Sequence, residues 1–268
     1  MTILDEIFAH KRTEVASRQQ VRPLAAVRSA AEAACPALDF VGALRSAAHL
    51  PALIAEVKCA SPSKGLLAKN FDPLRLAETY RQNGAAAISI LTDERYFRGH
   101  LDYLRQIADH FALSGRRLPL LRKDFICDAY QVYEARAAGA DAVLLIAAHL
   151  DPLELRDLHA LICALGMTPL VEVHNRAELE AAALLDLRLL GVNNRDLRDF
   201  SVRLETTLDL RPLVPDGVCL VAESGIHTPA DVARLHDAGV DAILVGEALV
   251  TAQDVPAMVR LLAGNKVR

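Results

Sequence analysis

The feature that most restricts this chain is a pattern repeated eight times. Short apolar runs recur at Leu53–Val57, Ala86–Leu91, Leu118–Leu121, Ala142–Ile146, Pro169–Val173, Leu189–Val192, Val218–Ala222 and Ala242–Val245. Each is too short for a helix and rich in branched residues, as a strand buried on both faces requires. Helix signals fill the intervals. Asp72-Pro73, Asp151-Pro152 and Thr228-Pro229 set a capping side chain before a proline at the first helical position. Glu154 and Asp231 follow their caps at the capping-box spacing, and Asn175 with Glu178 makes a similar start. Gly84, Gly139 and Gly239 stand where a helix stops just ahead of the next run. This alternation demands a parallel sheet, and eight units predict a single α/β domain over residues 1–268, a closed (β/α)8 TIM barrel. Residues 1–50 precede the first run and predict helices, with Ile3, Leu4, Ile7 and Phe8 on one face and new starts at Pro23 and Asp39. This N-terminal helical extension must bury its apolar face, and the expectation is that it caps the open, C-terminal mouth of the barrel.

In such a barrel the C-terminal ends of the strands converge on one site. Read in order, those ends carry Glu56 and Lys58, Thr92, Lys123 and Asp124, Glu172, Asn193 with Arg195, Glu223 with Ser224, and Gly246 with Glu247. The period of a strand points Glu56 and Lys58 the same way. The loop Ser61-Pro62-Ser63-Lys64-Gly65 follows them at once. A structural ion pair would also place an acid and a base at one strand end, and Thr92 or Asp124 taken singly fits a surface residue at a loop edge. Lys123 and Glu172 do not, because both interrupt apolar runs and are costly to bury without partners. Glu223-Ser224-Gly225 and Gly246-Glu247 put glycine after the last two strands with helices close behind, which is the phosphate site common in barrels.

Composition narrows the partners. The formal charge of -4 comes from 30 basic and 34 acidic residues spread along the sequence, without the polybasic tract that nucleic acid or an anionic membrane would call for. The longest apolar run, near Ala142 to Ala148, is far short of a membrane span, and Asp5 and Glu6 stand where a signal peptide carries positive charge. A cytoplasmic, monomeric protein acting on a small phosphorylated molecule is expected. Cys35, Cys59, Cys127, Cys163 and Cys219 form no metal-ligand spacing and read as small buried hydrophobes in a reducing compartment. Glu172 and His174 alternate as two ligands lacking a third, so no metal is expected. No GxGxxG follows the first strand, so no dinucleotide cofactor is expected either.

The phrases AEVKCASPSKG (Ala55 to Gly65), SILTDERYFRG (Ser89 to Gly99), LRKDFI (Leu121 to Ile126), LVEVH (Leu170 to His174), GVNNRDL (Gly191 to Leu197), AESGI (Ala222 to Ile226) and ILVGEAL (Ile243 to Leu249) together resemble the indole-3-glycerol phosphate synthase family. The likeness spans essentially the whole chain. It departs at Gly246-Glu247, where some members have Gly-Ser, which bears on a side-chain contact to phosphate but not on a backbone one.

The resemblance implies ring closure of 1-(2-carboxyphenylamino)-1-deoxyribulose 5-phosphate to indole-3-glycerol phosphate, with loss of carbon dioxide and water and no cofactor. It implies that Lys123 is the acid for ring closure, Glu172 the base for dehydration, and Glu56 a stabiliser of the cationic intermediate. Lys58 would engage the substrate carboxylate or supply the dehydration proton. Burial is expected to make Lys123 a better acid, provided nearby carboxylates keep it mostly protonated, as Glu56 and Glu172 are placed to do. Asn193 and Ser224 suit the sugar hydroxyls, Arg195 a carboxylate, and Phe97 and Phe125 the anthranilate ring. Ser61 and Glu223 join the substrate site. Gly225, Gly246 and Glu247 would meet the phosphate through backbone N–H groups. Two other readings stay open: a related phosphosugar barrel such as phosphoribosylanthranilate isomerase, which would use a cysteine and aspartate pair, and a non-catalytic phospho-ligand binder.

Overall fold

The structure, a computed structural model, describes residues 3–68, 70–115, 117–196 and 201–265; Leu197, which closes one of the motif phrases, lies outside them. Eight parallel strands close on themselves in chain order, β1 (Ala52–Val57), β2 (Ala87–Leu91), β3 (Leu120–Lys123), β4 (Ala142–Ile146), β5 (Thr168–Val173), β6 (Leu189–Asn193), β7 (Cys219–Glu223) and β8 (Ala242–Val245), with β1 pairing both β2 and β8. The chain is a (β/α)8 barrel. Period-two alternation divides the strand residues into two cores. Leu53, Ile88, Val143, Val171, Leu190, Leu220 and Ile243 pack outward under the helices, whereas Ile54, Leu121, Leu144, Leu170, Val221 and Leu244 fill the interior.

The caps read from sequence are made. Asp72, Asp151 and Thr228 each accept a backbone N–H at the start of α4 (Pro73–Gln82), α8 (Pro152–Ala164) and α11 (Pro229–Asp237), the last two with complete capping boxes. Asn175 does the same for α9 (Arg176–Ala182). Gly84, Gly139 and Gly239 end their helices at φ of 109°, 91° and 75°, the left-handed backbone that glycine adopts without strain.

Four expectations need correction. The third strand begins at Leu120 rather than Leu118 and continues through Arg122 and Lys123. Arg122 belongs to a strand because its outward-pointing guanidinium is fully partnered under the helices, donating to Thr92 Oγ1 (3.1 Å), Gln131 O (2.7 Å) and Asp124 Oδ2 (3.0 Å). Thr92 and Asp124 are therefore not surface residues: both are buried, and the Thr92 hydroxyl donates to Asp124 Oδ2 at 2.6 Å. Of the cysteines only Cys59 and Cys219 are buried; Cys127 is half-buried, and Cys35 and Cys163 are exposed on helix ends and loops that the barrel does not cover.

The extension divides between the two ends of the barrel. Helix α1 (Ile3–Val21) lies at the C-terminal end, with the Phe8 ring edge-on to Phe125 at 5.7 Å between centroids. Helix α2 (Leu24–Glu32) packs along α7 (Ala129–Ala137) on the flank. Helix α3 (Phe40–Arg45) sits under the opposite, N-terminal end, which corrects the expectation that all of residues 1–50 cap the mouth. Its Phe40, Val41 and Leu44 join the interior core beside β1 and β2, while Arg45 donates to the Gly217 carbonyl just ahead of β7. An apolar helix face satisfies either end of a barrel equally well, so a stripe of hydrophobic residues does not say which.

Candidate active site

At the C-terminal end the inward residues change from apolar to charged. Register sets Glu56 opposite Ser89, Leu91 opposite Lys123, Glu172 opposite Gly191 and Asn193 opposite Glu223, so one layer of side chains lines the mouth. Around them is a cavity of about 150 Å³. Its lining includes Glu56, Lys58, Lys123, Glu172, Asn193, Arg195, Glu223, Ser224, Gly225, Gly246 and Glu247, with Phe97 and Phe125 on the apolar side above Leu144 and Ile146. Of the residues singled out from sequence, Thr92 and Ser61 do not line it: Thr92 is buried against Arg122 and Asp124, and Ser61 lies apart. It lines an adjoining pocket of about 70 Å³ with Ile3, Leu4 and Ile7 of α1, and that pocket shares Lys58, Phe97, Phe125, Arg195 and Glu247 with the main cavity.

Lys123 is the hub. Its ammonium lies 2.9 Å from Glu172 Oε2 and 3.2 Å from Glu223 Oε2. Burial weakens its hold on the proton, but the charges of Glu172, Glu223 and Glu56 outweigh that and keep the ammonium above the usual lysine range. Burial thus acts in the expected direction and the carboxylates keep Lys123 charged, but they do so strongly enough that the net result in the resting site is a weaker acid. Around Glu172 burial is likewise overcome, first by Lys123 and then by His174, and the carboxylate stays below the usual range. Glu223 moves the other way, pushed up to about 8 by burial and by the charge of Glu172, with Lys123 opposing. One ammonium neutralises one carboxylate, and the other retains its proton.

The remaining Glu172 oxygen, Oε1, accepts from Asn193 Nδ2 at 3.2 Å, and Asn193 Oδ1 in turn accepts the Arg195 backbone N–H. Lys58 sits 3.4 Å from Glu56 Oε1 and 5.4 Å above the Phe97 ring. Glycine makes room where these carboxylates rest against the backbone. A Cβ at Gly191 would come within 2.2 Å of Glu223 Oε1, and one at Gly246 within 2.5 Å of Glu56 Oε1. Ser224 and Gly225 follow β7 with consecutive positive φ of 65° and 76°, so the chain turns sharply at the end of this strand through left-handed backbone. Beside them Glu247 starts the short helix α12 (Glu247–Val250), and its carboxylate faces Lys64 at 3.7 Å and Arg195 at 4.0 Å across the entrance.

A second charged cluster lies just behind the aromatic wall. The buried ammonium of Lys11, on α1, is 3.0 Å from Asp93 Oδ2, 3.1 Å from Asp124 Oδ1 and 3.1 Å from Glu14 Oε2. Asp93 also caps the turn Glu94–Phe97 through the Tyr96 and Phe97 N–H groups, and Asp124 accepts the Phe125 N–H at 2.8 Å. Lys11 so ties together the loops that carry Phe97 and Phe125. Sequence reasoning passed over it, although a lysine spaced with Leu4, Ile7, Phe8 and Val15 on an apolar face was the available signal.

A family profile described as Indole-3-glycerol phosphate synthase matches residues 4–262. The chain belongs to the indole-3-glycerol phosphate synthase family. Curated relatives of that name include one from Roseiflexus castenholzii, 56% identical over 98% of this chain and 99% of its own length. Another, from Polaromonas sp., is 53% identical over 94% of each chain, and one from Aromatoleum aromaticum is 50% identical over 98% of this chain and 99% of its own. Among solved structures, 3-hexulose-6-phosphate synthase from Salmonella typhimurium aligns over 80% of this chain and 97% of its own with a TM-score of 0.65 at 15% identity. That likeness speaks for the barrel alone. Membership of the indole-3-glycerol phosphate synthase family does not favour the isomerase and silent-binder readings.

Proposed function

We propose that the chain closes the pyrrole ring of 1-(2-carboxyphenylamino)-1-deoxyribulose 5-phosphate, releasing carbon dioxide and water to give indole-3-glycerol phosphate. The observation that carries this is the ammonium of Lys123 held between Glu172 and Glu223 at the floor of a cavity walled by Phe97 and Phe125. The aromatic ring lies against the phenylalanines, with its carboxylate toward Lys58, and the phosphate reaches the N–H groups of Gly225, Gly246 and Glu247. Ring closure turns the ketone oxygen into an alkoxide, and Lys123 gives it a proton. A resting lysine held this tightly is a weak acid, but an alkoxide is about as basic as hydroxide, so the transfer runs downhill.

The same contact orders the steps. While Lys123 is charged, Glu172 is too weak a base to take a proton; once Lys123 has given its proton away, Glu172 loses its nearest cation and its affinity for a proton rises. Glu172 then accepts the ring proton during dehydration. Glu56 steadies the cationic intermediate. Lys58, released from the substrate carboxylate as carbon dioxide leaves, protonates the departing hydroxyl. Across the cycle the ionised carboxylate leaves as neutral carbon dioxide, so one proton enters from solvent. At 2.9 Å, Glu172 can hand its proton back to Lys123, and the more exposed Lys58 recovers its own from water.

Turnover of the anilino-ribulose phosphate, followed by indole absorbance, tests the reading. Formation of indole-3-glycerol phosphate is the expected result; a chain that binds this substrate without turning it over would overturn it.

A further inference from the structure

His174 follows β5 and stands outside the substrate cavity, yet it touches the residue assigned there as base. Its Nε2 is 3.3 Å from Glu172 Oε1, on the side away from Lys123, and its Nδ1 is 3.0 Å from Glu178 Oε2. The clamp on the far side is built. Glu178, at the first turn of α9, also accepts the His174 backbone N–H at 2.7 Å and the Asn175 amide, so one carboxylate fixes both the ring and its backbone. The imidazole faces a separate cavity of about 560 Å³ that Asn193 and Glu178 also line. Other charged groups bordering that cavity are Asp5 of α1, which pairs with His149 at 3.4 Å, and Arg195, Asp196 and Arg203 from the segment after β6. A half-buried histidine between two carboxylates has a bland explanation, a polar side chain satisfied where it happens to fall. The geometry says more, because Glu172 Oε1 meets His174 and Asn193 while Oε2 meets Lys123, and after Lys123 gives up its proton His174 is the cation left on that carboxylate.

We infer that His174 is a positioning residue: clamped by Glu178, its imidazolium fixes the Glu172 carboxylate in the cavity wall and limits how readily Glu172 takes up a proton in the second half of the reaction. The inference rests on the base role proposed for Glu172. Burial alone would favour neutral imidazole, but the two carboxylates, Glu178 hydrogen-bonded to Nδ1 and Glu172 3.3 Å from Nε2, outweigh it and raise the ring to about 10, so the cation persists throughout the working range. Without that cation Glu172 would protonate at higher pH, by about one to three units for a charge at this distance.

Two measurements on the full-length chain test this. In labelled protein, one imidazole should remain doubly protonated above pH 8, its resonances should vanish in His174→Gln, and in Glu178→Gln it should titrate closer to the ordinary value of 6.5. In single turnovers, the acidic limb of the indole-forming phase should move up by about one to three pH units in His174→Gln with KM little changed. Glu178→Gln should show that upward movement only where His174 has lost its proton. A histidine set that titrates normally throughout, or a limb unmoved in His174→Gln, overturns the inference. Glu172→Gln separates this from the underlying assignment: normal indole formation in that variant removes the base itself, whereas a defective Glu172→Gln beside an unmoved His174→Gln overturns only the part given to His174.

Discussion

Glu172 and Glu223 carry the same functional group 2.9 and 3.2 Å from the same ammonium, yet they lean in opposite directions. The difference is one of company, since Glu172 has His174 and Asn193 on its other oxygen while Glu223 Oε1 is buried with no hydrogen-bond partner among the described residues. Glu223, raised from 4.5 to about 8, binds its proton more tightly in the folded chain than in the unfolded one. Stability from this group is therefore complete below about pH 4.5 and is lost as pH rises through about 8. Glu223→Gln should flatten that decline in thermal unfolding experiments between those limits; an unchanged slope would mean that Glu223 is ionised in the resting site. Separate steps should answer to separate residues as well. Lys123→Met keeps most of the bulk and removes the proton, so turnover should fall by about 10² or more with no carbon dioxide released. Glu172→Gln should release carbon dioxide before indole absorbance appears, and rapid mixing that finds both variants stalled at the same point would break this division of labour. A valine at Gly246, whose N–H is assigned to the phosphate, would strike the Glu56 carboxylate and so disturb more than phosphate binding.

At the scale of elements, the strands and the helix caps were legible because both obey local rules: a run of branched residues, a capping side chain, a glycine at a helix end. The layer of charge at the strand ends was legible for the same reason, since Glu56, Lys123, Glu172, Asn193 and Glu223 each break or end an apolar run. What sequence concealed was partnership across long separations. Asp124 sits next to a residue of the site and looked like a loop charge, but its partners are Lys11, more than a hundred positions earlier, and Arg122 on the outward face of β3. Lys11 is the sharpest case. Replacing it with methionine would leave Asp93 and Asp124 facing each other in the interior, so Lys11→Met should lose about 3–5 kcal/mol in urea unfolding. Adding Asp93→Asn to that variant should recover part of the loss, because one unpaired buried charge is then removed; no recovery would argue that the lysine's packing matters more than its charge.

For the whole molecule, the extension behaves as two elements with opposite duties, and that changes what truncation should do. Removing residues 1–22 takes away α1, the edge of Phe8 against Phe125, and the ammonium that ties the Phe97 and Phe125 loops together. Asp93 and Asp124 would then open to water, which solvates them and softens the cost of losing Lys11. The strands and α3 keep their interior contacts, so this truncation should retain the circular dichroism of the barrel while the KM for substrate rises and kcat falls. Removing residues 1–50 is a different experiment. It also strips Phe40, Val41 and Leu44 from beneath the barrel, uncovering an interior apolar layer that includes Ala52 and Ala87, and it removes the Arg45 bond to the loop ahead of β7. Each of those large side chains contributes about 1.5–3 kcal/mol when buried, so their combined loss is comparable to the stability of an ordinary domain. The longer truncation should therefore lose cooperative unfolding as well as activity. If it instead folds as stably as the shorter one, α3 is no part of the barrel's core, and the loss of activity in both would trace to α1 alone.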